Sequence, residues 1–203
     1  LDSQLLPPSD SASLRNRCCW RVTLIAHFGG YAPQELDGFL QFAKNLHAPH
    51  IYEAIREAEP IGEPTVARFP ASVRRRYEKL ARFPEGFLVL GDGISSFNPI
   101  YGQGMSSAAL QAVELGREID RGPANLARRF FTQASKVVET PWSIAVGNDL
   151  RMPEAVGRRR LSIDLANWYI AKLHRAAHRD PMCSAAFLDV TNLVAAPARM
   201  FHP

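Results

Sequence analysis

Residues 86–118 read GFLVLGDGISSFNPIYGQGMSSAALQAVELGRE, and the rest of the chain is interpreted outward from them. The continuous apolar run at 87–90 is typical of a strand that is covered on both faces, as in a parallel sheet between helices. Gly91 ends this run, and Asp92 follows at the carboxyl end of the predicted strand. Ligands of open α/β sheets bind at that end, so we expect a binding site around Asp92.

A glycine-rich turn and a helix of small residues follow the predicted strand. Asn98-Pro99 is a turn signal, and the periodic pattern predicts a helix that begins near Gly102 to Gly104. The first N–H groups of a helix have no partner inside it, and together with the helix dipole they favour an anionic or electron-rich ligand. Four small residues of this helix predict close packing on a sheet, namely Ala108, Ala109, Ala112 and Gly116.

These features, taken in order, indicate a particular kind of site more specifically than each feature does alone. A Gly-Asp pair with a glycine turn also fits an ordinary αβ connection in which the Asp is a cap. The whole string, Gly91-Asp92, Asn98-Pro99, Gly102-Gln103-Gly104-Met105 and an Ala-rich helix, resembles the second FAD-binding motif of flavin-dependent monooxygenases. These are the aromatic-hydroxylase-like (group A) enzymes of the glutathione-reductase-type FAD fold. The resemblance implies FAD as cofactor and NAD(P)H as reductant.

The resemblance also implies roles for individual residues. Asp92, which follows Gly91, would hold the ribityl and pyrophosphate region of FAD. The loop and the helix N-terminus would face the pyrimidine edge of the isoalloxazine ring through Pro99, Gly102, Gln103, Gly104 and the Met105 backbone N–H. A helix N-terminus stabilises the negative charge that grows at this edge when the flavin is reduced.

Two departures from the family pattern shape the interpretation. The family usually has Ala after the Asp, whereas Gly93 stands here and is expected to loosen the loop. The family also opens with a G-x-G-x-x-G turn and an acidic residue about 20 residues later, which bind the ADP half of the cofactor. No such pattern occurs here, and Gly29-Gly30 leads into Tyr31-Ala32-Pro33 instead of a helix. Since the chain begins with Leu1, we expect the C-terminal part of a longer flavoprotein.

Composition bounds the remaining possibilities. The 203 residues carry a net charge of +4, a mild excess of base that is compatible with cofactor phosphates and does not demand nucleic acid. No stretch approaches the ~20 apolar residues of a membrane-spanning helix, and no segment has the layout of a signal peptide. Cys18, Cys19 and Cys183 form neither a disulfide framework nor a metal pattern, so a reducing cytoplasm is the expected location.

The chain is expected to be α/β (α+β), a partial FAD-binding fold with substrate-domain strands and a helical C-terminal region. Strands are predicted at 20–28 and at 61–69, the latter interrupted at Pro64, with helices at 34–47 and 51–60 between them. The predicted segments are a frayed N-terminus at 1–19, part of a substrate domain at 20–85, the C-terminal part of the FAD-binding domain at 86–122, and helices at 123–203.

The helical region is predicted in three parts. A helix at 124–138 ends in a break at Thr140-Pro141-Trp142, a second runs over 157–178, and Asp180-Pro181 forms the N-cap and first turn of a third. Residues 140–154, TPWSIAVGNDLRMPE, resemble the C-terminal part of one branch of the same monooxygenase-like proteins.

Three features allow a functional and a structural interpretation. Residues 74–76 are all Arg, which fits a phosphate patch or, as we favour, the solvated face of a short helix. Trp142 fits cofactor stacking or, as we favour, core packing. His174 and His178 have the i, i+4 spacing of metal ligands, but no acidic residue stands at suitable spacing in that helix, so no metal site is predicted.

Two functions therefore remain. The resemblance implies a FAD-binding monooxygenase-like enzyme, or a piece of one, that uses NAD(P)H and O₂ to hydroxylate or epoxidise a small organic substrate. The alternative is a non-catalytic remnant or helical interaction module that binds no flavin, which the missing ADP-binding turn favours. No residue is singled out as a general acid or base.

Overall fold

The computed structural model of the chain describes residues 19–159 and 161–201. More than half of the described residues are helical, and they also contain a two-stranded antiparallel sheet. This agrees with the predicted α/β (α+β) class at the coarse level. The chain divides into two compact units, Leu1–Arg68 and Phe69–Pro203. The predicted frayed segment 1–19 lies outside the described residues except for Cys19.

The first unit contains two short helices, α1 (Leu36–Lys44) and α2 (His50–Ile55), in contact with each other. Both predicted helices are therefore confirmed, with bounds several residues shorter. The predicted strands at 20–28 and 61–69 are wrong, because neither segment has regular strand structure. Exposure alternates along 21–26 as it does in a strand, but no described neighbour supplies the hydrogen-bonding partner that a strand requires.

The second unit contains the small sheet, in which β1 (Val73–Arg74) pairs antiparallel with β2 (Ser95–Ser96). The strand predicted at 87–90 is wrong for the same reason as the others. Leu90 has an extended backbone, with φ −134° and ψ 160°, but the segment pairs with no strand in the described chain. Leu88 and Val89 instead pack against the hydrophobic core, so the apolar run is partly buried without being part of a sheet.

Two long helices, α3 (Gly104–Asp120) and α4 (Leu126–Asp149), pack together, and α4 supplies most of the buried core cluster. The start of α3 at Gly104 confirms the predicted start. The core cluster consists of buried residues, Ile94, Phe130, Phe131, Ala134 and Val138. Trp142 is half-buried against this cluster, which confirms that it is a core residue. The small residues of α3 at 109, 112 and 116 are exposed, so the described residues supply no sheet beneath them.

The helix α4 continues through Pro141, so the predicted break at Thr140-Pro141-Trp142 is wrong. A proline inside a helix removes one hydrogen bond and clashes with the preceding turn, at about 3 kcal/mol or more. Pro141 is fully buried here, and the buried residues Val138 and Ala145 stand on either side of it. Core packing along the helix thus outweighs the local preference for a break.

Residues 74–76 do not form the solvated helix face that we favoured. Arg74 lies in β1, its side chain is only 4% exposed, and its Nη1 is 2.6 Å from Glu139 Oε2 on α4. Its Nη2 donates to the Ser135 carbonyl at 3.0 Å. Arg74 therefore joins the sheet to α4, whereas Arg75 and Arg76 are exposed.

A charged cluster of Glu118, Arg121 and Arg129 joins the end of α3 to the first turn of α4. Glu118 is 3% exposed, and its Oε2 accepts from Arg129 Nε at 2.8 Å. Arg129 Nη2 also donates to the Glu118 and Gly122 carbonyls, at 2.8 and 2.7 Å. The hydrogen bond from Arg129 and the charge of Arg121 hold the pKa of Glu118 below its ordinary value, against the opposing effect of burial.

The C-terminal part contains α5 (Leu161–Ala177) and α6 (Pro181–Thr191), followed by a 3-10 turn at Pro197–Phe201. The predicted cap of α6 is confirmed, because Asp180 Oδ1 accepts from the Met182 N–H at 2.8 Å. In α5, Leu173 is buried, whereas Leu161 and Trp168 are exposed. Within the described ranges, no helix combines the length and the apolar character needed to cross a membrane.

Candidate functional site

Asp92 lies in a single 3-10 turn, Gly91–Gly93, that is fixed onto α3. Gly91 has a φ of +61°, and its N–H donates to Gln111 Oε1 at 2.9 Å. Gln111 is fully buried, and its Nε2 donates in turn to Ser107 Oγ at 3.2 Å. The Asp92 side chain is exposed. The buried amide of Gln111 on α3 thus holds the turn, while the carboxylate of Asp92 stays accessible.

Position 93, where the family usually has Ala, has a steric need for glycine in this chain. A Cβ at this position would stand 2.5 Å from Val89 Cγ1, which is shorter than side chains tolerate. Val89 packs against the core and has a stiff, β-branched side chain. Gly93 therefore lets the turn lie against Val89.

The loop between the turn and α3 has a defined conformation. Pro99–Tyr101 form a 3-10 turn, and Asn98 Oδ1 accepts from the Ile100 N–H at 3.2 Å. Gly102 follows with a φ of +67°, a left-handed conformation that glycine adopts without strain. Its N–H donates to the Pro99 carbonyl at 3.0 Å. The predicted turn at Asn98-Pro99 is thus confirmed.

The N-terminus of α3 opens onto free space. No side chain caps the helix. A Cβ built on Gly102 or on Gly104 would meet no atom within 4 Å, and Met105 is 83% exposed. The unpaired N–H groups of the first turn and the positive end of the dipole therefore face a space that a ligand can enter.

Gln103 is placed differently from the other predicted site residues. It is 3% exposed, and its Nε2 donates to the carbonyl of Thr191, the last residue of α6, at 2.7 Å. Its Oε1 is also buried and finds no hydrogen-bond partner within the described chain. The side chain of Gln103 therefore anchors the loop, and only its backbone is available to a ligand.

Asp149, the last residue of α4, contacts the loop from the other side. Its Oδ1 accepts from Asn98 Nδ2 and from the Tyr101 hydroxyl, both at 2.9 Å. Burial, the hydrogen bond to Asp149 and the charge of Asp149 raise the pKa of Tyr101 far above its ordinary value, against a small opposing effect of Arg151. Tyr101 is therefore a neutral hydrogen-bond donor and not a proton acceptor.

The sequence identified the two parts of this site, and the structure brings them together along α3. Sequence reasoning missed the residues that connect them, Gln111 and Asp149. Gln111 carries a local signal, because it is a polar residue four positions after Ser107 on a helix of small residues. Asp149 stands about fifty positions from its partners, and no local pattern links it to them.

A metal ion has no evident place in the part of the chain that the structure describes, where no group of three or more His, Cys, Asp or Glu side chains could hold one. His174 packs edge-on against Phe187, with ring centroids 4.6 Å apart.

Comparison with known proteins identifies a longer relative. No family model matches the chain. The chain is 31% identical over 179 residues to Protein Rv3254 of Mycobacterium tuberculosis (strain ATCC 25618 / H37Rv). The match covers 83% of this chain and 37% of that protein, so the chain spans little more than a third of the relative's length.

Proposed function

We propose that this chain is part of a FAD-dependent, monooxygenase-like oxidoreductase and that residues 91–105 bind the flavin half of FAD. One observation carries the proposal. The turn that carries the exposed Asp92 is held, through the Gly91 N–H and Gln111, on the same helix whose open, uncapped N-terminus follows the glycine loop. A carboxylate and a helix N-terminus on one rigid element suit a ligand that carries hydroxyl donors in one part and electron-rich oxygens in another.

The residues present fit the flavin half of the cofactor. Asp92 can accept hydrogen bonds from ribityl hydroxyls, because its side chain is exposed. The backbone N–H groups at Gly104 and Met105 can donate to the pyrimidine edge, since no side chain caps the helix and a Cβ on Gly104 would meet no atom within 4 Å. Pro99, Gly102 and the Gln103 backbone would shape the loop on the same side.

When bound, FAD supplies the redox chemistry, with NAD(P)H as reductant and O₂ as co-substrate, and the substrate would be a small organic molecule. The residues of this chain would position the ring edge and stabilise negative charge there. No G-x-G-x-x-G turn occurs in the sequence, so residues outside this chain would bind the ADP half. We place 86–122 in the C-terminal part of a glutathione-reductase-type FAD domain, in a cytoplasmic protein.

Titration of the purified chain with FAD, followed by quenching of flavin fluorescence, tests the assignment of Asp92. We expect Asp92→Ala to weaken binding by about 1.5–3 kcal/mol, the contribution of hydrogen bonds to a charged group. Asp120→Ala is the matched control, because Asp120 is an exposed residue at the opposite end of α3. Equal affinity of the Asp92 variant and the wild type would remove Asp92 from the site. A wild-type chain that does not bind FAD would favour the non-catalytic helical module instead.

Gly104→Ala tests the helix N-terminus separately. The added Cβ meets no protein atom, so we expect a stability within about 0.5 kcal/mol of the wild type. The same Cβ enters the space proposed for the cofactor, so FAD affinity should fall. Gly116→Ala is the control on the same helix, since its Cβ also meets nothing within 4 Å and lies three turns away. A Gly104 variant that binds FAD as tightly as the Gly116 variant would contradict the proposed position of the flavin.

A further inference from the structure

The loop that leads into α3 is held from outside by the ends of two C-terminal helices. At one end, Asp149 of α4 accepts hydrogen bonds from Asn98 and Tyr101. At the other, Thr191 of α6 accepts from Gln103. The loop's own hydrogen bonds are few and local, such as those from Ile100 to Asn98 and from Gly102 to Pro99. Its position relative to α3 therefore depends on these external contacts.

The contact with Asp149 also sets the orientation of the Asn98 amide. Asn98 donates through Nδ2 to Asp149 and accepts through Oδ1 from the Ile100 N–H. If the amide were turned over, a carbonyl oxygen would face a carboxylate, and an NH₂ group would face an N–H. Asp149 thus selects the orientation that stabilises the 3-10 turn at Pro99–Tyr101.

The place of Asp149 in its own helix indicates a role beyond helix stability. Asp149 is the last residue of α4, where the negative end of the helix dipole disfavours a carboxylate. The contacts that compensate are those to Asn98 and Tyr101, and both belong to the loop. The presence of a carboxylate at this helix end is therefore explained by its hydrogen bonds to Asn98 and Tyr101 in the loop.

We propose that Asp149 is a positioning residue, which fixes the Asn98–Tyr101 segment so that the backbone of Pro99 to Met105 is presented to the flavin edge in one conformation. This proposal rests on the proposed function, because it assigns a task within the same FAD site. Asp149 itself does not touch the cofactor in this scheme. The raised pKa of Tyr101 agrees with it, since burial and Asp149 favour the protonated phenol, which is the form that donates to Asp149.

Three variants of the full chain test the proposal. Asp149→Ala leaves two donors unpaired, so we expect FAD to bind at least about tenfold more weakly, the effect of losing hydrogen bonds to a charged group. Asp149→Asn keeps an acceptor oxygen and should recover much of the affinity. Tyr101→Phe removes one of the two donors without changing the backbone, and it remains informative if Asp149→Ala does not fold. Visible circular dichroism of FAD at saturation reports whether the bound ring sits in the same environment.

Asp180→Ala is the matched structural control. Asp180 also accepts two hydrogen bonds at a helix end, from the Met182 N–H and the Cys183 thiol, but it lies at the start of α6 and both donors belong to α6 itself. The proposal predicts that this variant loses stability and keeps the FAD affinity and dichroism of the wild type. Amide hydrogen exchange should accelerate at 98–105 in Asp149→Ala and not in Asp180→Ala.

The outcomes separate this proposal from the one on which it rests. If the wild type binds FAD and Asp149→Ala binds it equally well, Asp149 has no positioning role and the FAD site stands. Equal losses of affinity in Asp149→Ala and Asp180→Ala would also overturn the proposal, because general destabilisation would then explain both. If the wild type binds no FAD, the proposed function fails first and the positioning role fails with it.

Discussion

Tyr101 is held in its neutral form by its surroundings. Because the pKa of Tyr101 in the folded chain lies above its ordinary value of 10.0, its protonated form contributes stability. That contribution is complete below the ordinary pKa and is lost as the pH rises towards the folded pKa. The same hydrogen bond joins the loop to α4, so the stability that this contact contributes should diminish in strongly alkaline conditions.

We therefore predict that one of the five tyrosines ionises late in the folded chain. Ultraviolet titration of tyrosinate should show an incomplete first phase, and the last phenol should titrate only together with unfolding. Tyr101→Phe should abolish this late phase, whereas Tyr31→Phe, which removes an exposed phenol, should leave it intact. A late phase that persists in the Tyr101 variant would contradict the assignment.

The stability that Glu118 contributes has the opposite dependence on pH, because it is lost in acid. The hydrogen bond from Arg129 lowers the pKa of Glu118 below its ordinary value of 4.5, so the ionised form is favoured in the folded chain. The stabilisation is present above that ordinary value and disappears as the pH falls through the lower, folded pKa.

Glu118→Gln should therefore be less stable than the wild type at neutral pH and should approach it in acid. Thermal unfolding at a series of pH values measures this convergence. Glu114→Gln is the control, because Glu114 is less buried than Glu118 and pairs with the exposed Arg117 on the same helix. A constant difference in Tm between Glu118→Gln and the wild type at all pH values would show that the carboxylate charge is not the cause.

At the scale of elements, helices and caps could be predicted from the sequence and strands could not. The start of α3, the Asp180 cap of α6 and the turn at Asn98-Pro99 each depend on residues within a few positions of one another. A strand depends on a neighbour elsewhere in the chain. The run at 87–90 has the composition of a buried strand, but the described chain supplies no partner for it.

The same distinction applies to the candidate site. Asp92 and the glycine loop were recognisable because their order is a local pattern. Gln111, Asp149 and the anchoring role of Gln103 depend on contacts across 20, 51 and 88 positions. Arg74 was misread for this reason too, since its partner Glu139 is 65 positions away.

The link between β1 and α4 yields a prediction at this scale. Glu139→Ala removes the ionic partner of Arg74, whose side chain is only 4% exposed, and leaves a buried charge less well paired. We expect a destabilisation of roughly 1–3 kcal/mol, as for an unsatisfied buried group. Glu114→Ala, which breaks the exposed pair with Arg117, should cost at most about 1 kcal/mol.

Denaturant unfolding of both variants measures the difference. Arg74→Met provides a further control, because it removes the buried charge together with its need for a partner while keeping a long apolar side chain. If Glu139→Ala and Glu114→Ala destabilise equally, the sheet is not held to α4 by this ion pair.

At the scale of the whole molecule, the core and the candidate site belong to one of the two units. All residues of the core cluster lie within Phe69–Pro203, as do Asp92, the loop and Asp149. The first unit contributes the two short helices α1 and α2, in which only Ala43 is buried. Several large apolar side chains of the second unit remain exposed, including Leu161 and Leu165 on α5.

This division predicts that residues 69–203 fold without the first unit. A chain of 69–203 should unfold in a single cooperative thermal transition, within a few degrees of the corresponding transition of the full chain, because it keeps every residue of the core cluster. It should also respond to FAD as the full chain does, because it keeps every candidate site residue.

A chain of 86–203 is the matched control, since it begins at the boundary that the sequence suggested for the FAD-binding part. It loses Arg74, the edge strand β1, and the rings of Tyr77 and Phe83, which pack on Phe131 with centroids 5.1 and 4.6 Å away. Aromatic pairs of this kind contribute about 0.5–1.5 kcal/mol each beyond their buried area, so the shorter chain should unfold at a clearly lower temperature. Equal stability of the two chains would show that residues 69–85 are not part of the folding unit. Failure of 69–203 to fold would show instead that the second unit depends on the first.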